Sequence, residues 1–122
     1  LVFFAEIRET HRFLRYTFSA LLVTLTPVIF LDQTNVALDA SGLTITWKRK
    51  DGTSAESSLA SGESVSKGIL TVSKDMLASA SSGMITYICY ISYYDSETKN
   101  TVNISSDITT CYCMLHGNTK LW

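Results

Sequence analysis

The sequence predicts an all-β domain, an antiparallel sandwich of about seven strands. Three observations carry that expectation. Short segments alternate apolar and polar residues, most regularly Leu43-Thr44-Ile45-Thr46-Trp47-Lys48, the pattern of a strand with one buried face. Turn-forming clusters such as Asp39-Ala40-Ser41-Gly42 and Asp51-Gly52-Thr53 fall between these segments. Composition agrees: 46% hydrophobic and only 17% charged residues suit pleated surfaces and do not suit a disordered chain. No helical pattern alternates with the strands, which argues against an α/β plan. The 122 residues make one domain's length, long enough to bury roughly two-thirds of the unfolded surface.

Residues 1–18 form an N-terminal segment of uncertain structure. Leu1-Val2-Phe3-Phe4-Ala5 is a short apolar run of high β-propensity, sticky if exposed at a sheet edge. The six residues Leu1–Glu6 match the central segment of the amyloid-β peptide. Ala5–Phe18 fits an amphipathic helix equally well, with Ile7, Phe13 and Leu14 near one face. The chain starts without Met, as if inside a longer frame, and reads as a fragment or processed chain. Tyr16–Leu31 carries no charge. It is short for a membrane-spanning helix, which takes about 20 apolar residues, and no clear cleavage site marks it as a signal peptide. Two β-segments are the favoured reading, Leu21–Thr26 and Val28–Leu31. Pro27 stands between them, where a first strand breaks and switches partners.

From residue 32 onward the pattern sharpens. Asn35–Leu38 is a short strand candidate, and Leu43–Lys48 is the alternating strand. Ser54–Lys67 is Ser-rich and predicts a loop or weak edge strand. Ile69–Val72 is a strand, and Lys74–Ser82 a connecting turn or single helical turn. Met84–Tyr93 is the strongest strand, Asp95–Asn100 a polar hairpin loop, and Thr101–Ile108 its partner. The domain is therefore expected over residues 19–108, with 109–122 a C-terminal tail. Cys111-Tyr112-Cys113-Met114-Leu115-His116 looks foreign to it, and a truncated or frame-shifted end is the expectation there.

Trp47 shares a face with Leu43 and Ile45, while Ile85, Tyr87, Cys89, Ile91 and Tyr93 share one face of the later strand. Trp47 is placed to cover Cys89 if the two strands lie in one sheet. Leu70 and Val72 complete the expected core of Ile45, Trp47, Leu70, Val72, Tyr87, Cys89 and Ile91. ITWKRKDGT (Ile45–Thr53) and ITYICYISYY (Ile85–Tyr94) resemble strands C and F of immunoglobulin-like domains. There, a Tyr two residues before the strand F Cys forms a corner whose hydroxyl satisfies a backbone group. With GESVSKGILTVSKDML (Gly62–Leu77), the stretch 28–108 is similar to Ig-like domains in tail and minor structural proteins of tailed bacteriophages and prophages of Gram-positive bacteria. The shared pattern is W-x-x-x-D-G-T, then G-x-x-V-S, L-T-V-S and Y-x-C.

One departure matters. No Cys precedes Cys89, so the inter-sheet disulfide of vertebrate-type domains is lacking. That forgoes roughly 2–5 kcal/mol and weighs against antibody and T-cell-receptor constant domains. The three cysteines cannot close a disulfide framework. Cys111 and Cys113, even with His116, fall short of four zinc ligands. Cys89 is expected to be a buried apolar residue.

The resemblance implies a non-catalytic structural or adhesion module of a phage tail or host-attachment protein, in the virion or extracellular. Its partners would be neighbouring domains, and a host cell-surface protein or carbohydrate met through loops 51–67 and 95–100. The alternative is a eukaryotic immunoglobulin-superfamily ectodomain fragment with an N-terminal signal or membrane segment, for which Asn103-Ile104-Ser105 would be a glycosylation sequon. No enzyme constellation appears. His11 and His116 lie in the two ends, and no Walker A, GxGxxG or HExxH motif is present. No cofactor is expected, and Asp95, Glu97 and Asp107 are too few for calcium. The net charge of −1 provides no field for nucleic acid or anionic membrane. Of the two basic clusters, His11-Arg12 with Arg15 and Lys48-Arg49-Lys50, the second reads as a solvated strand end.

Overall fold

The computed structural model describes the backbone of residues 3–14 and 17–111, and the side chains of residues 3–9, 22–73 and 75–110. Strands dominate: β1 (Phe3–Leu14), β2 (Thr17–Leu31), β3 (Thr34–Val36), β4 (Leu43–Asp51), β5 (Glu63–Ser66), β6 (Ile69–Ser73), β7 (Met84–Asp95) and β8 (Asn100–Cys111), with one short helix, α1 (Lys74–Ala78). They form two antiparallel sheets. One runs β1-β2-β6-β5 with β3 also on β2, and the other runs β4-β7-β8.

Period-two burial explains the layering. Val23, Leu25 and Ile29 of β2, Leu70 and Val72 of β6, and Ile85, Tyr87, Cys89 and Ile91 of β7 are buried together with Trp47 of β4. Every second residue of these strands points into the space between the sheets. Leu77 of α1 closes one end of this core.

Residues 3–14 are strand, not helix. Phe3, Ala5 and Ile7 pack against the core while Phe4, Glu6 and Arg8 are exposed, an alternation that a helix cannot produce. β1 pairs with β2 from Phe3↔Leu31 to Leu14↔Thr17. The uncharged stretch is strand too, but it does not break at Pro27: β2 is continuous. What changes is its second neighbour. Leu22–Leu25 pair with β6 and Ile29–Leu31 with β3. Pro27, with no N–H to give, falls in the gap between the two. Among the described residues no helix is long and apolar enough to cross a membrane.

Two further boundaries differ from the sequence reading. The Ser-rich stretch becomes a strand only at Glu63–Ser66, and β8 runs on to Cys111, where Thr109↔Thr86 and Thr110↔Ile85 continue the β7 ladder. Cys113 and His116 lie outside the described residues.

Candidate functional site

Polar chemistry gathers in one place inside the sandwich. The inward face of β4 reads Leu43, Ile45, Trp47, Arg49, and pairing with β7 sets Trp47 directly opposite Cys89 and Arg49 opposite Tyr87. Glu63, at the start of β5 in the other sheet, reaches into the same space, its carboxylate fully enclosed. Arg49 Nε donates to Glu63 Oε2 at 3.0 Å, the Tyr87 hydroxyl donates to the same oxygen, and the Ala60 backbone N–H donates to Oε1 at 2.7 Å. Beside this cluster, the Trp47 indole N–H donates to the Gly68 carbonyl at 2.9 Å. Both connections run from one sheet to the other.

The local sequence explains these positions. Lys67 and Gly68 both have positive φ, 53° and 83°, and Ser66 pairs with Ile69 around them. This is a two-residue hairpin of the type that needs left-handed backbone. It turns the Gly68 carbonyl toward Trp47. Beside the cluster, Arg49 and Ser57 exchange both backbone hydrogen bonds, which brings the Ser-rich loop alongside β4.

The Tyr87 hydroxyl is pushed above the ordinary tyrosine range, first by burial and then by the Glu63 carboxylate that it donates to. Burial pushes the Cys89 thiol up to about 12. A thiol so placed is protonated at neutral pH and is not activated as a nucleophile.

The expected core residues fall as follows. Trp47, Leu70, Val72, Tyr87, Cys89 and Ile91 are buried in one cluster, and Ile45 is partly buried against it. Cys89 is a free thiol. Two expectations need correction. The Tyr87 hydroxyl meets the Glu63 carboxylate and not a backbone group. Arg49 is not part of a solvated strand end: its side chain is only 16% exposed and is paired. Glu63 escaped notice altogether. The signal for it lay in parity, because an Arg in step with Ile45 and Trp47 must point inward and needs a carboxylate there.

The exposed surface offers a second region. The outer face of β4-β7-β8 holds a shallow hollow of about 310 Å³, lined by Thr44, Thr46, Tyr90, Ser92 and Asn103 with Ile91 and Ile104 beneath. Tyr90 leans from it toward the Ser-rich loop, its hydroxyl donating to Glu56 Oε1 at 2.6 Å. At the other loop, Asp95 accepts from the Glu97 backbone N–H and the Thr98 hydroxyl, both at 3.0 Å, and so shapes its own turn. Among the described residues no three His, Cys, Asp or Glu side chains are grouped to hold a metal ion. Compared with known proteins, the chain matches no family model, no curated protein and no solved structure.

Proposed function

We propose that this chain is an immunoglobulin-like β-sandwich serving as a non-catalytic structural or adhesion module of a phage or prophage tail or host-attachment protein. The observation that carries the fold part is strand order. Without the short β3, a four-stranded sheet β1-β2-β6-β5 faces a three-stranded sheet β4-β7-β8. In chain order this corresponds to the ABED and CFG sheets of constant-type immunoglobulin domains. Trp47 opposite Cys89, with Tyr87 two residues before that Cys, falls on the strands equivalent to C and F.

The functional part is supported by the motif resemblance over residues 28–108 and by how the polar groups are used. Arg49, Glu63, Tyr87 and the Trp47 indole are spent on hydrogen bonds between the two sheets, which supports a mechanical role over a chemical one. Contact with neighbouring domains, or with host protein or carbohydrate, is assigned to the loops 52–62 and 96–99 that the strands leave within the stretches 51–67 and 95–100, in a virion or extracellular setting. Immunogold labelling of particles from the producing bacterium with antibody to this chain tests the reading. Gold on the tails is expected. Particles that carry no label, or a native glycan on the exposed Asn103, would defeat it and favour a eukaryotic ectodomain.

A further inference from the structure

The outer face of β4-β7-β8 carries a row of neutral hydrogen-bonding groups between two exposed tyrosines. Pairing sets Thr44 opposite Ser92 and Ser92 opposite Asn103, one row across the three strands. Tyr90 stands two residues to one side of Ser92 on β7 and Tyr94 two residues to the other, so all three share the outward face. The two tyrosines are roughly 13 Å apart along the strand, and they are 38% and 47% exposed. Thr44, Thr46, Tyr90, Ser92 and Asn103 line the shallow hollow of this face.

Three features restrict the occupant. Tyr90 is held: its hydroxyl donates to Glu56 Oε1 at 2.6 Å, so the ring is presented in one orientation and little rotamer freedom is lost on binding. Among the described residues no charged side chain lines the hollow, and the Glu56 carboxylate at its rim opposes an anion, which leaves a phosphate without a partner. The nearest charged row, Lys48 and Asp107 across Ile88, carries one charge of each sign. Around the hollow stand Thr101, Ser105 and the hydrogen-bonded Thr86–Thr109 pair, a hydroxyl-rich surface unlike the apolar patch that a protein partner covers. The ligand that fits has a flat apolar face to lie on a ring and hydroxyls around its edge to meet the row, which describes a neutral hexopyranose. The distance between the tyrosines exceeds one hexose and suits a short chain of them.

We propose that this face binds a neutral oligosaccharide, with Tyr90 stacking on one hexose, Thr44, Ser92 and Asn103 bonding to its hydroxyls, and Tyr94 meeting a later unit. This rests on the adhesive reading, because the glycan on Asn103 expected of a eukaryotic ectodomain would cover the row. Amide chemical shifts of the native chain, followed on titration with maltopentaose, cellopentaose and chitopentaose, test it. At least one pentamer is expected to shift Thr44, Tyr90, Ser92 and Asn103 with a dissociation constant of about a millimolar or below. Tyr90→Ala weakens that binding at least about tenfold, and Glu56→Ala, which frees the ring but leaves it in place, weakens it less. Tyr94→Ala weakens the pentamer more than the matching dimer. Circular dichroism checks that each variant is folded. Pentamers that leave these residues unshifted overturn the proposal, as do shifts confined to the loops 52–62 and 96–99, or a Tyr90→Ala variant that binds as the native chain does. Tighter binding of heparin hexasaccharide, an anionic probe, at this face overturns it too. Each outcome is independent of gold labelling, which decides the adhesive reading itself.

Discussion

Glu63 is a carboxylate enclosed among apolar neighbours, tolerable only because three donors converge on it. Removing it strands Arg49 and the Tyr87 hydroxyl together. Glu63→Ala should therefore lower stability by about 3–5 kcal/mol. Tyr87→Phe, which removes one donor and leaves the ion pair, should lose only about 1–2 kcal/mol. Urea unfolding followed by circular dichroism distinguishes the two. Equal losses would mean that the Arg49–Glu63 pair contributes nothing of its own. The Cys89 thiol, buried opposite Trp47, should resist alkylation at pH 8 until the chain unfolds. Peptide mapping separates it from Cys111 and Cys113, and labelling of Cys89 at the solvent rate would contradict its burial.

At the scale of elements, the β5–β6 hairpin is sensitive to a single methyl group. Gly68 has φ of +83°, and a Cβ there would stand 2.8 Å from Ile45 Cδ1. Gly68→Ala therefore adds backbone strain to a clash in the core. It should reduce stability by about 1–3 kcal/mol and disturb the Trp47 indole, which bonds to the carbonyl of that residue. An unchanged unfolding midpoint and tryptophan emission would refute this.

Legibility in the sequence followed the same line. β4 and β7 could be read because alternation and turn signals agreed over their length. β1 could not, since Phe3–Leu14 mixes charged and apolar residues in a pattern that a helix fits nearly as well. Only pairing with β2 settles it. Continuity of β2 through Pro27 was also hidden, because it depends on which neighbour stops where. The Arg49–Glu63–Tyr87 cluster joins residues from three strands in two sheets, and no spacing along the chain encodes that meeting.

For the whole molecule, the buried thiol gives stability a definite dependence on alkali. The Cys89 thiol has an ordinary value of 9.0 and is held at about 12 in the folded state. Above the ordinary value the unfolded chain releases a proton that the folded chain keeps. The contribution is thus complete at lower pH, and it declines by about 1.4 kcal/mol per pH unit as the pH rises through the window up to the folded value. Tyr87, also raised, acts in the same direction at higher pH. Cys89→Ala should flatten the first part of this decline in urea titrations across that range. An identical slope in the variant would show that another group governs it.

The sheets are clasped by an ion pair, a phenol and an indole, and the central cysteine is left unbonded. Such a clasp is indifferent to thiol reductants. Dithiothreitol should leave the melting temperature unmoved, whereas a drop of several degrees would reveal a hidden covalent contribution. Among the described residues, the sheets are thus held together by contacts that form equally well in reducing and in oxidising surroundings.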